Sequence, residues 1–351
     1  MMKRRKTKQI KVGGVKIGGS APVSIQSMTK VDTSDVKAVV AQINRLEAAG
    51  CEIVRVAVKS SADSRAIRDI KRKINIPLVA DIHFNYRLAL ESIISGADKI
   101  RLNPGNIGKR DEIGQVVKAA KRVHIPIRIG VNSGSVLTGD DRVVSGEKLV
   151  EAAAIYIKLF RELDFHDIII SLKASNVVTT IEAYRRMSEV CDYPLHLGVT
   201  ASGSYDSGVI KSAIGIGSLL TDGIGDTIRV SLTADPVEEV VAAKRILCAV
   251  GARHFGPEVI SCPTCGRCQM DLGAIVHKLE NSLLLMGKER RKTKDPLTIA
   301  VMGCEVNGPG EAKEADIGIA FGKNSGMLFK KGKMIKRVDA KDVIKELLKI
   351  I

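Results

Sequence analysis

D-V-K-A-V-V-A-Q-I-N-R-L-E-A-A-G-C-E-I-V-R-V-A, residues 35–57, contains the unit from which the fold can be read. Val36, Val39, Val40, Ile43 and Leu46 recur at a period near 3.6, which predicts an amphipathic helix over 35–49. Ala49-Gly50 stops it, and 53–57 is a short apolar run of strand type with Arg55 inside it. The alternation repeats from residue 20 to about 250. Strands are predicted at 23–26, 53–57, 78–80, 99–102, 127–129, 168–172, 195–199 and 227–231. Helices fall at about 35–49, 61–73, 85–95, 111–124, 146–164, 178–191, 206–221 and 236–250. Eight strand–helix units point to parallel β/α architecture, and eight is the number that closes a barrel. An open doubly wound sheet is the rival. The first strand, however, runs into Ser27-Met28-Thr29, which is no glycine-rich dinucleotide turn. The expected fold class is α/β: a (β/α)8 TIM barrel over 1–250, then a small α+β domain over 259–351.

That second domain follows a linker at 251–259. It should hold a helix at about 270–286, a strand at 297–302 and a tight Gly308-Pro309-Gly310 turn. Strands near 317–321, 326–330 and 333–337 and a helix at 340–349 complete it. Four of the seven cysteines lie here: Cys262, Cys265 and Cys268 in S-C-P-T-C-G-R-C, and Cys304 in G-C-E-V-N-G-P-G-E. Four thiolates suit zinc, and C-x-x-C-x-x-C suits a [4Fe–4S] cluster equally well. A zinc ribbon usually pairs two similar knuckles, and the second segment offers one cysteine only. Glu311, just past the Gly-Pro-Gly turn, is a possible fourth ligand; spacing alone does not separate Cys268 from the other two cysteines of the run.

The formal net charge is +16, with basic residues crowding 1–11, 288–294 and 330–337. A solvated basic surface is the plain reading, and attraction of an anionic substrate or an acidic redox partner is the functional one. Aromatic residues make up 3% with no Trp, which disfavours base stacking. Residues 12–20 are glycine-rich and contain Lys16, so no secretory signal is visible, and no apolar run reaches membrane-span length. An odd cysteine count fits no disulfide framework; a reducing, cytoplasmic setting is expected, with Cys51, Cys191 and Cys248 as small buried hydrophobes.

In a barrel the chemistry gathers at the C-terminal strand ends. There the chain places Arg55, Asp81 with His83, Arg101 with Asn103, Arg128 with Asn132, Lys173 with Ser175, and Arg229 with Ser231. Buried cations without an anion are costly, and guanidinium forks match phosphate oxygens, so the set predicts a diphosphate-like substrate. Asp81 and His83 read as a metal pair, an acid–base pair or a hydrogen-bonded junction. Asn103, Asn106 and Asn132 are candidate substrate donors, Asn106 alternatively a helix cap. Gly105 and Gly130 suit tight turns or close substrate approach.

The chain resembles the bacterial 4-hydroxy-3-methylbut-2-enyl diphosphate synthase family from residue 17 to about 338. The motifs are A-D-I-H-F at 80–84, R-L-N-P-G-N-I-G at 101–108, R-I-G-V-N-S-G-S at 128–135 and K-S-A-I-G-I-G at 211–217. They continue with G-I-G-D-T-I-R-V-S-L at 223–232, S-C-P-T-C-G-R at 261–267 and N-G-P-G-E at 307–311. The resemblance implies a barrel followed by an iron–sulfur domain whose [4Fe–4S] cluster is held by Cys262, Cys265, Cys304 and Glu311, with Cys268 extra to the set. It implies 2-C-methyl-D-erythritol 2,4-cyclodiphosphate as substrate. The diphosphate would meet Arg55, Arg101, Arg128, Lys173, Ser175, Arg229 and Ser231. Asp81, His83, Asn103 and Asn132 match pocket residues, and Asn307 would touch the carbon end. Two electrons would come from ferredoxin or flavodoxin. A head-to-tail homodimer would bring the cluster domain of one subunit over the barrel of the other. The chain departs at Thr200-Ala201-Ser202-Gly203, where the family reads T-E-A-G; the missing glutamate leaves proton supply open. Two other classes fit the residues alone: an iron–sulfur hydro-lyase working without net electron transfer, and a zinc-containing nucleic-acid-binding protein.

Overall fold

The computed structural model describes residues 4–351 apart from 104–106, 108, 136–143, 269, 286–296 and 307. Gly105, Asn106, Asn307 and the basic stretch 288–294 therefore lie outside the described residues. The chain divides into two compact units, Met1–Arg253 and His254–Ile351.

The first unit opens with a hairpin, β1 (Ile10–Val12) and β2 (Val15–Ile17). Then follow β3 (Ser24–Met28), α1 (Val36–Ala49), β4 (Ile53–Val58), α2 (Ser61–Lys71), β5 (Leu78–Ile82) and α3 (Tyr86–Ile94). Next are β6 (Lys99–Leu102), α4 (Arg110–Val123), β7 (Ile127–Asn132), α5 (Gly146–Glu162), β8 (Ile168–Lys173) and α6 (Val177–Val190). β9 (His196–Leu197), α7 (Tyr205–Thr221), β10 (Thr227–Ile228) and α8 (Pro236–Ala249) end it. Strands β3 to β10 form one parallel sheet in the order β8-β7-β6-β5-β4-β3-β10-β9. A parallel bridge between Ile170 of β8 and Leu195, just ahead of β9, brings its two edges together. This is the barrel the alternation predicts. The stretch 35–57 behaves as its residues dictate. Asp35 caps α1 by accepting from the Ala38 N–H at 3.0 Å, and Gly50 ends it at φ 100, a conformation glycine adopts without strain.

The hairpin escaped the sequence reading. Its signal is I-K-V-G-G-V-K-I, two alternating triplets around Gly-Gly, the pairing that a two-residue hairpin turn favours. Ile10 pairs with Ile17 and Val12 with Val15. Ile10, Val12 and Ile17 pack in one buried cluster with Ile53, Val79 and Ile169, the inward residues at the starts of β4, β5 and β8. The hairpin thus plugs the N-terminal end of the barrel. Residues ahead of it are fastened too: Arg4 pairs with Asp226 at 3.0 Å, and Arg5 donates to the Tyr193 carbonyl at 2.7 Å.

The second unit runs β11 (Glu258–Ser261), α9 (Leu272–Leu285), β12 (Thr298–Met302), α10 (Gly308–Glu314), β13 (Ile317–Phe321), β14 (Ser325–Lys330), β15 (Lys333–Asp339) and α11 (Val343–Ile350). Its sheet keeps sequence order; β11, β12 and β13 are parallel, β14 and β15 antiparallel. Leu272, Leu279 and Leu283 of α9 and Val343 and Leu347 of α11 bury against Ile299, Val301, Ile317 and Ile319. Two expectations are corrected. The end of the expected linker is strand β11, and Gly308-Pro309-Gly310 is the first turn of α10 and no free turn. Proline suits a first helical turn because the N–H it lacks would have no partner there. Glycine at 308 fits a tight place, since a Cβ would lie 3.0 Å from Met302 Cβ and 3.1 Å from Ala320 Cβ.

Among the described residues no helix is long and apolar enough to cross a membrane.

Candidate active site

Residues two apart on a strand share a face. Ile53, Val79 and Ile169 point inward at the plugged end, so Arg55, Asp81 and Lys173 point inward further up the same strands. The same parity places Lys99, Arg101 and Asn103 on β6 and beyond, Arg128, Gly130 and Asn132 on β7, and Arg229 and Ser231 after β10. The barrel interior is accordingly polar and strongly cationic above its apolar floor.

Asp81 is the hub. It stands 3.1 Å from Arg101 Nη1 and 3.6 Å from Arg55 Nε. Arg101 Nη1 also lies 2.8 Å from His83 Nε2, so the guanidinium sits between the two groups expected to act as a pair. Burial pushes the Asp81 carboxyl up, but Arg55 and Arg101 outweigh it and hold the group well below the usual carboxylate range. Arg101 further donates to the Gly130 carbonyl at 3.1 Å. A Cβ on Gly130 would fall 2.5 Å from Arg101 Nε, so that glycine makes room for a guanidinium. With its amide turned to satisfy both ends, Asn132 accepts from Arg101 Nη2 at 3.2 Å. Arg55 directs Nε and Nη2 at the Met28 sulfur, 3.1 and 3.0 Å away. The backbone turns sharply after His83: Phe84 has φ 62 and is largely exposed.

Arg128 is 1% exposed, yet its Nε and Nη1 find no hydrogen-bond partner. Burial, then Arg55 and Arg101, push it well below the ordinary arginine range. Lys173 is buried with its Nζ over Gly198, where a Cβ would come within 2.6 Å. Burial and then Arg128 push its ammonium pKa well down. Arg229 meets the buried Glu239 of α8 at 3.5 Å; burial first, then Arg55, lower it to about 10. Glu239 also accepts from Ser27 Oγ at 3.2 Å and the Leu232 N–H at 3.1 Å, and pairs with Lys30 at 3.1 Å. Asn103 is buried, Ser231 half-buried and Ser175 exposed. Ser202 is buried and donates to the Ser231 carbonyl, while Ala201 beside it is exposed at φ 49.

Four polar residues of this interior went unread in the sequence. Lys99 is fully buried with Nζ 3.3 Å from Gln26 Oε1, and His196 is fully buried with Nδ1 3.4 Å from Thr227 Oγ1. Glu239 is the fourth. The available signal was parity: Lys99 stands two before Arg101, His196 two before Gly198, and Gln26 two before Met28. Nothing in a helical pattern marks Glu239 as a barrel carboxylate.

In the second unit, Cys262 follows β11 and Cys304 follows the neighbouring β12, with Ser261 registered on Val301. The Gly303 N–H donates to Cys262 Sγ at 3.3 Å. Cys268, like Cys262, is partly buried against the hydrophobic core; a Cβ on Gly303 would lie 2.6 Å from Cys268 Sγ. Cys265 is exposed in the loop, and Glu311 is exposed in the first turn of α10. Among the described residues no three His, Cys, Asp or Glu side chains stand close enough together to hold a metal ion. The donor chemistry and the backbone still suit a cluster: thiols leave two adjacent strand ends, and a backbone N–H already points at one sulfur.

The family model described as the GcpE TIM-barrel domain matches residues 7–244, and that described as the GcpE protein C-terminal domain matches 258–351. A Thermodesulfovibrio yellowstonii protein named 4-hydroxy-3-methylbut-2-en-1-yl diphosphate synthase (flavodoxin) is 53% identical over 354 residues, covering 100% of this chain and 99% of the relative. A Clostridium perfringens protein of the same name is 55% identical over 353 residues, with the same coverage. The chain belongs to this family. Among solved structures it is similar to the dihydropteroate synthase of Stenotrophomonas maltophilia, with TM-score 0.54 and 14% identity over 71% of this chain and 100% of that one. At that identity the likeness shows a shared fold alone. Arg55, Asp81, Arg101, Arg128, Lys173 and Arg229 lie together inside the barrel, and the cysteine motifs lie in the second unit.

Proposed function

We propose that the barrel mouth binds 2-C-methyl-D-erythritol 2,4-cyclodiphosphate and that the chain converts it to 4-hydroxy-3-methylbut-2-enyl diphosphate. The chain is an oxidoreductase of the diphosphate synthase family. The reaction adds two electrons and two protons: the ring C2–O bond breaks, the C3 hydroxyl departs as water, and a C2–C3 double bond forms. The observation that carries the reading is the imbalance inside the barrel. Among the described residues, Asp81 and Glu239 are the buried carboxylates that pair with any of Arg55, Arg101, Arg128, Lys173 and Arg229. A diphosphate supplies the missing negative charge and accepts from the idle Arg128 nitrogens.

Each residue then has a task. Arg55, Arg101, Arg128, Lys173 and Arg229 grip the diphosphate; Ser175 and Ser231 donate hydroxyls at the rim. Asp81, kept ionised by its neighbours, aims the guanidiniums of Arg55 and Arg101. His83 is the imidazole placed to pass a proton, and Asn103 and Asn132 hold the hydroxyls of the carbon skeleton. Asn307 is assigned to the carbon end. The barrel domain, 1–250, would bind and the second domain, 259–351, would reduce. Cys262, Cys265, Cys304 and Glu311 would hold one [4Fe–4S] cluster per subunit, which supplies single electrons and a Lewis-acidic iron when bound. A carboxylate is the most exchangeable of those ligands. A flavodoxin-class carrier is the donor, a ferredoxin being the other candidate. The working form is a cytoplasmic homodimer in which the second domain of one subunit serves the barrel of the other.

An anaerobic assay on the cyclodiphosphate, with and without reductant and with iron and zinc counted in the same sample, tests this. Reductant-dependent turnover with about four irons per subunit is expected. Turnover without reductant would mean a hydro-lyase, and zinc without turnover a structural metal protein. Glu311→Cys should keep its iron and its visible absorption while turnover collapses. Cys268→Ala should leave iron content unchanged, since Cys268 is extra to the ligand set; loss of iron would place Cys268 among the ligands.

A further inference from the structure

The second unit has a groove of ≈ 440 Å³ between α9 and the last helix, lined by none of the residues used above. Lys278, Lys341, Lys345 and Lys349 line it, with Ile344 and Leu348. The two apolar residues are half-buried, and the four lysines are exposed. Lys345 and Lys349 stand four apart on the last helix and share a face, and Lys341 lies in the 3-10 turn just ahead of it. Lys349 is tied to Glu346 at 2.6 Å, and that carboxylate also meets Lys336. Among the described residues, Lys278, Lys341 and Lys345 make no ion pair.

We propose that this groove is the docking site of the electron carrier, an acidic flavodoxin-type protein. The proposal rests on the reductive function given above and names the surface through which that function is fed. Three observations favour this occupant. The first is charge: uncompensated lysines around a small apolar floor match carboxylates around the apolar edge of a flavin. The second is size: a carrier must leave after each transfer, and transient redox encounters use small, steered interfaces below about 1,200 Å². The third is place. Leu272, the first residue of α9, approaches the Cβ position of Gly303 to 3.4 Å, beside Cys304 and the N–H that serves Cys262. Lys278 follows six residues later on α9, about 9 Å along the helix. The groove residue Lys278 is thus about one and two-thirds helical turns from the cysteine end of the sheet.

The test uses the full-length, iron-loaded enzyme carrying Lys341→Glu with Lys345→Glu. Turnover is measured with photoreduced flavodoxin and, separately, with reduced methyl viologen, across a salt series. The KM for flavodoxin should rise at least tenfold and its salt dependence flatten, while the viologen rate stays within twofold. Equal KM and equal salt slope in parent and variant would overturn the docking site. So would equal loss with both donors, repeated in the milder Lys345→Gln, because the groove would then act on the fold or the chemistry. If the parent enzyme turns over with neither donor, the reductive function itself fails, an outcome distinct from both.

Discussion

Arg128→Met should cut turnover roughly 10²–10³-fold while raising the melting temperature of the ligand-free protein. Arg128 is 1% exposed with two guanidinium nitrogens unpartnered, so the empty barrel holds an ill-solvated cation. Replacing buried charge by an apolar side chain of similar volume is neutral or stabilising by about 1–4 kcal/mol. For a large domain each kcal/mol shifts the midpoint by roughly 2–4 °C. The same nitrogens are the ones a diphosphate would fill. In the parent, inorganic pyrophosphate at a hundred times its Kd should add about 2.7 kcal/mol of stability; in the variant most of that shift should vanish. Losing one preorganised donor to a charged group costs roughly 10²–10³ in rate. Calorimetry with and without pyrophosphate, beside the reductive assay, reads all three effects. A lower apo midpoint with an intact pyrophosphate shift would mean that Arg128 is a structural arginine.

The opposite sign is expected two strands away. Asp81→Asn should destabilise the protein by about 3–5 kcal/mol, because it strips the carboxylate that Arg101 and Arg55 share and leaves buried guanidiniums facing each other. The amide keeps the shape, so the loss is electrostatic. Its pH dependence follows from the depressed pKa. A carboxylate held below its unfolded value of about 3.9 contributes fully above that pH and loses its contribution as pH falls through the folded value. The gap between parent and variant should therefore be constant from neutrality down to about pH 4 and close only below it. Urea titrations at several pH values measure it, and added pyrophosphate should recover part of the loss. A gap that stays unchanged from pH 7 down to about pH 2 would show that Asp81 titrates normally and is no partner to those arginines.

Both variants involve residues that the sequence singled out, and the reason is geometric. A charged residue inside an otherwise apolar strand, as in I-V-R-V-A or K-I-R-L, has nowhere to go but the barrel interior, so Arg55 and Arg101 declare themselves. Lys99 does not, because a lysine at a strand's first position looks like a loop residue. His196 opens a two-residue strand with no neighbour that marks it. Glu239 sits in a helix and reaches the arginines only through tertiary packing. At the other unit the limits were different. The cysteine run reads as a ligand group, but Cys268 and Cys265 are equivalent on paper; folding leaves Cys265 exposed and packs Cys268, like Cys262, partly buried against the core. The Gly-Pro-Gly segment read as a turn because its glycines disfavour helix, yet one glycine is required there by the closeness of Met302 and Ala320.

The hairpin at the barrel floor has a kinetic meaning. Residues 10–17 leave the ribosome early, while the surfaces they cover belong to strands near 53, 79 and 169 and their anchors reach Asp226. Such long-range closure is slow and must wait for most of the barrel to be made. Until then three strand mouths expose Ile53, Val79 and Ile169 to neighbouring chains. An alternating I-K-V/V-K-I segment with lysines at its middle positions suits that wait, since the charges keep it soluble before it docks. Changes to this short segment should therefore show first as aggregation during synthesis, with the folded enzyme's KM untouched.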